Sequence, residues 1–116
     1  DAIWSWNPLN LKDPKALTVK EITSVRTGGF TIAIEGYDKV AHEGLVAGDF
    51  GIWTGTQTGT EVSITSVTET STAGTYDVVA TLGAATTYYS GVRAVGDCAT
   101  NGVAGLVRDR TEFTTP

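Results

Sequence analysis

At 116 residues, with 41% hydrophobic residues, 14 Gly and no Met, the chain is long enough to close one core of its own without metal or disulfide. A net charge of −5, with only eight scattered Lys and Arg, excludes a phosphate-binding surface and so nucleic acid as a partner, and no apolar run reaches the ~18 residues of a membrane span. Thr and Gly are abundant and no long run favours a helix, so the expected class is all-β.

Residues 1–16 differ in character from the rest of the chain. They hold Trp4 and Trp6, two of the three Pro (Pro8 and Pro14), and the apolar Ile3, Leu9 and Leu11. Trp4 and Trp6 share a parity, so an extended backbone projects both rings to one side. Such an arm either folds over its own sandwich, docks on a neighbouring subunit or stacks on a sugar. The chain opens at Asp1 rather than Met, as it would after removal of an upstream signal or propeptide, which would imply export, or where the start of the expressed segment was chosen.

Leu17 to Val25 reads as the first strand of a body spanning 17–108, and the parity slip between Val19 and Ile22 predicts a β-bulge. A turn over 26–29 leads to a second strand with Phe30, Ile32 and Ile34 inward. The acidic segment 35–49 breaks the alternation and is expected either to carry a helical turn near Val40 or to cross between sheets. Phe50 to Trp53 is a short third strand, followed by a Thr/Gly turn. In 61–82, Val62 and Ile64 alternate on one side and Tyr76, Val78, Ala80 and Leu82 on the other; Gly74 supplies a positive-φ position, predicting one antiparallel hairpin. Tyr88 to Val95 is a sixth strand and Val103 to Arg108 a seventh, with 109–116 a polar tail apart from Phe113. The lone Cys98, in the loop between them, fits a small half-buried residue or an intermolecular pair. Seven short strands at this spacing predict a two-sheet antiparallel sandwich.

Leu45 to Phe50, then Val62 to Thr68, then Gly74 to Val78 with Tyr76 two residues after the glycine, resemble the immunoglobulin-like modules of bacterial surface proteins and of phage capsid, tail and fibre proteins. The resemblance covers roughly 17–82 and implies an immunoglobulin-like sandwich with a structural, adhesive or decorating role outside the cytoplasm or on a virion; it transfers no catalytic residue.

The chemistry-bearing residues do not form a motif. His42 is the only histidine, and no nucleophile-elbow pattern accompanies it. One His and one Cys do not make a zinc site, and Glu35, Asp38, Glu43 and Asp49 lack the spacing of a calcium loop. Glu61 and Asp77 fall at outward positions across the expected hairpin, and Lys20 with Asn101 is the pair positioned for an isopeptide crosslink. No cofactor or metal is expected, and no enzymatic activity. The leading expectation is a structural subunit of an extracellular, cell-surface or virion assembly, held to copies of itself or to a neighbouring protein by Ile3, Trp4, Trp6, Leu9 and Phe113. The alternative is a carbohydrate-binding or adhesion module that stacks a glycan on Trp53, Tyr88 or Tyr89.

Overall fold

The computed structural model describes residues 16–36, 38–93 and 104–116. Alternation, turn glycines and β-branched residues give nine strands among them: β1 Ala16–Arg26, β2 Gly29–Gly36, β3 Phe50–Thr54, β4 Glu61–Val62, β5 Ser66–Glu69, β6 Thr75–Val79, β7 Thr87–Val92, β8 Ala104–Gly105 and β9 Thr111–Thr114. They build two sheets, in the orders β5-β6-β2-β1-β8 and β9-β7-β3-β4. All pairings are antiparallel except β1 with β8. With β1, β2, β6 and β5 as strands A, B, E and D, and β3, β4, β7 and β9 as C, C′, F and G, this is the immunoglobulin-type strand order.

The core lies where the inward parities of the two sheets meet. Leu17, Phe30, Ile32, Ile34, Tyr76 and Val78 come from the first sheet, and Phe50, Ile52, Tyr88, Val92 and Phe113 from the second; all are buried. Rings interlock across the gap: Phe30 and Phe113 have centroids 4.5 Å apart, and Phe50 and Tyr76 5.2 Å apart. Burial of these side chains is the main favourable term, at about 25 cal/mol per Å² of apolar surface.

Several expectations from the sequence hold. The register of β1 on β2 shifts between Val19 and Glu21, where the parity slip lies, and again between Thr23 and Arg26, where Ser24 has φ 52°. Gly74 has φ 74°, and a Cβ there would press on Ala41 and on the backbone of His42 and Ile34, so the position requires glycine. The segment after β2 crosses between sheets, and its helical turn is a 3₁₀ turn at Ala47–Asp49 rather than near Val40.

Three expectations are corrected. Residues 61–82 are not one hairpin in one sheet: β4 pairs with β3, whereas β5 and β6 form the hairpin in the other sheet. The strand expected over 103–108 is only the two-residue β8, followed by a 3₁₀ turn at Val107–Asp109. Residues 109–116 are not a tail, because β9 pairs with β7 from Thr111↔Ser90 to Thr114↔Thr87. Short polar strands carry little pattern, and long-range pairing decides them.

The end of the chain is locked into the β6–β7 corner. Thr115 donates its N–H to the Thr86 carbonyl at 3.0 Å, the Thr115 hydroxyl accepts the Thr86 N–H at 2.9 Å, and the Pro116 carbonyl accepts the Ala85 N–H at 3.0 Å. At the same corner the Tyr88 hydroxyl accepts the Gly83 N–H at 2.7 Å, the tyrosine corner of immunoglobulin sandwiches. Two residues on, where antibody domains carry a cysteine, Ser90 is fully buried and donates its hydroxyl to the Gly51 carbonyl at 2.8 Å.

Candidate functional site

The aromatic residues expected to offer a glycan platform are separated by strand parity. Tyr88 faces the core, its ring 5.8 Å from that of Phe113. Trp53 and Tyr89 are register partners on the outer face of the second sheet. Trp53 nevertheless shows only 6% of its surface, because it lies against Gly51 and the Arg110 guanidinium sits 3.4 Å above the ring centroid. Arg110 is held there by donating to the Gln57 carbonyl at 2.6 Å, while the Gln57 amide donates to the carbonyls of Arg108 and Arg110. Neither Trp53 nor Tyr88 presents a ring face to a sugar. Tyr89 is half-buried and donates its hydroxyl to Glu112 at 3.2 Å; desolvation first, then the Glu112 carboxylate, raises its phenol above the ordinary value.

Of the residues expected to grip a partner, Ile3, Trp4, Trp6 and Leu9 lie outside the described residues. Phe113 is a correction: it is 7% exposed and packs on Phe30 and Tyr88, so it belongs to the core and is not free to anchor a neighbour.

The acidic residues of the crossing segment hold turns. Asp49 is fully buried and accepts the Val46 N–H at 2.9 Å, tying off the Ala47–Asp49 turn, and its carbonyl accepts the Arg93 N–H at 2.9 Å. Asp38 accepts the Val40 N–H at 3.1 Å, and Glu35 lies 3.6 Å from the Lys39 ammonium. Glu69 spans the loop by accepting the N–H groups of Gly44 and Gly74. Among the described residues no three His, Cys, Asp or Glu come together in a way that could hold a metal ion. Glu61 and Asp77 belong to different sheets and pair with Arg93 and Arg26, the latter at 2.8 Å. Lys20 is exposed, and Asn101 lies outside the described residues.

Tyr76, singled out by its place after Gly74, joins the two halves of the crossing segment. Its hydroxyl donates to the His42 carbonyl at 2.6 Å and accepts the Leu45 N–H at 3.3 Å. Burial raises this phenol above its ordinary value, against the lowering effect of the Leu45 bond. The segments Leu45 to Phe50 and Gly74 to Val78 are thus tied together at a hydrogen-bonded corner.

The described residues also line concavities. One of about 200 Å³ lies beside Glu35, Lys20, Lys39 and the Thr72–Thr75 turn. Another, about 330 Å³, lies between the Ala47–Asp49 turn and β4 and is lined by Phe50, Ile64 and the Glu61–Arg93 ion pair. Sequence reasoning missed this second groove and the Arg110 cover on Trp53. Their members are 32 and 53 or more residues apart, and no local pattern connects them. Among the described residues no helix is long and apolar enough to cross a membrane. No protein-family model matches the chain, and no curated protein matches it.

Proposed function

We propose that the chain is a non-enzymatic structural subunit of an extracellular, cell-surface or virion assembly, joined to copies of itself or to a neighbouring protein through its amino-terminal segment. The observation that carries this reading is the apolar load of residues 1–15, which place Ile3, Trp4, Trp6 and Leu9 ahead of a sandwich whose packed core draws on residues 17 to 113. Two indoles bring roughly 150–250 Å² each to whatever surface covers them, enough to anchor a contact between subunits. The reading is supported further by the work that the polar side chains do. Asp49, Glu69, Tyr76 and Tyr88 bond to backbone, and the Arg110 guanidinium covers Trp53.

The test is removal of residues 1–15 with solution mass measured by sedimentation. The expected outcome is a full-length chain that associates and a truncated chain that stays monomeric while keeping a cooperative thermal transition. Equal mass for both chains would end the reading.

A further inference from the structure

We propose that the pocket beside Glu35 binds a small zwitterion of the α-amino acid type, with its ammonium on the Glu35 carboxylate and its carboxylate on the Lys20 and Lys39 ammonium groups. Glu35 falls at an outward position of β2, yet it is only 8% exposed, flanked by Thr18 of β1 on one side and by the bridge to Ala41 on the other. The only partner of its carboxylate among the described residues is the Lys39 ammonium at 3.6 Å, beyond hydrogen-bond distance. A polar side chain buried this deeply ordinarily has hydrogen bonds to accept. Here the carboxylate lines a pocket of about 200 Å³, so a donor placed in that pocket is what it is set to take.

The rest of the lining selects the class of ligand. Lys20 and Lys39 bring two ammonium groups, and Glu21 and Glu35 two carboxylates, so the pocket is formally neutral while carrying both signs. A simple amine drawn to Glu35 meets both lysines, and a simple anion drawn to the lysines meets both carboxylates; a molecule that carries both charges escapes either repulsion. Two irregularities of the backbone put the lysines there. Lys20 is the extra residue where the β1 register shifts between Val19 and Glu21, and Lys39 has φ 68°, a left-handed conformation that is uncommon outside glycine. The Lys39 side chain is 79% exposed, so its ammonium can swing from Glu35 to the carboxylate of a guest. Size narrows the choice further. A volume of about 200 Å³ lies below the roughly 300–1,000 Å³ of drug-sized ligand sites, and Ala33, Ala73 and Thr75 add only small side chains to the wall. That suits an amino acid with a short side chain and excludes a peptide or an oligosaccharide. The site is independent of the amino-terminal segment and of the assembly reading.

An NMR titration of the isotope-labelled full chain tests this, with L-alanine as the zwitterion, ethylammonium as the bare cation and acetate as the bare anion. Alanine is expected to shift the amides of Lys20, Ala33 and Thr75 saturably, and the two singly charged probes to bind at least tenfold more weakly. Glu35→Gln keeps the shape of the side chain and removes its charge; Lys39→Gln does the same at a position the core does not use. Each variant, once its thermal transition matches that of wild type, is expected to bind alanine at least tenfold more weakly, as the loss of one charged hydrogen bond implies. Should Glu35→Gln fail to fold, Lys39→Gln and the comparison of the three probes on wild type decide. No saturable shift with alanine, or an affinity that the folded variants leave unchanged, would overturn the site. Ethylammonium or acetate binding as tightly as alanine would overturn the zwitterion as its ligand.

Discussion

Replacing Tyr76 with Phe removes one oxygen atom from the centre of the fold and keeps the ring. The hydroxyl bridges the His42 carbonyl at 2.6 Å and the Leu45 N–H at 3.3 Å, in a residue with no exposed surface. A net hydrogen bond is worth about 1 kcal/mol, and a buried group left without its partner costs about 1–3 kcal/mol, so the expected loss is about 2 kcal/mol. With a urea m-value near 2 kcal/mol per M, the unfolding midpoint should fall by about 1 M. The same substitution has a pH signature. Burial raises the phenol's pKa in the folded state, so folding favours the protonated form; that contribution is fully present below the unfolded value of about 10 and is lost as pH rises from there through the folded value. Urea titrations from pH 8 to 11 should show wild type losing its advantage over Tyr76→Phe above pH 10. A substitution costing less than about 0.5 kcal/mol at pH 8, or two parallel pH profiles, would refute the assignment of Tyr76 as the bridge of the crossing segment.

Two further substitutions examine the corrected carboxy-terminal strand and the covered face. Phe113→Ala should destabilise by about 3–5 kcal/mol, as for a core phenylalanine, measured by chemical denaturation; a loss under 1 kcal/mol would return residues 109–116 to the status of a tail. Gly51→Ala, in a Trp4→Phe/Trp6→Phe background, should push the Trp53 ring off its seat and red-shift its emission, because a Cβ at Gly51 runs into that ring. Unchanged emission would mean that Trp53 does not depend on the glycine.

The strand residues with strict alternation were legible because burial on one face of a pleated strand imposes a period of two: Phe30, Ile32 and Ile34 lie inward as their spacing predicts. The bulge in β1 was legible for the same reason, since a two-residue period that slips must absorb an extra residue. The glycan candidates were not. Parity alone places Trp53 and Tyr89 outward, and nothing near Trp53 in sequence announces that Arg110 will cover it.

By itself the sequence determined the class of the fold, the inward set of most strands and a positive-φ position at Gly74, because these depend on neighbours a few residues away. Tertiary structure alone decided that Phe113 completes the core, that Glu61 and Asp77 part into separate sheets, and that Arg93 meets Glu61 beside a groove. Sheet pairing joins residues tens of positions apart through backbone groups that are the same in every residue. The side-chain pattern therefore says which face is buried, and only the assembled ladders say which strands are neighbours.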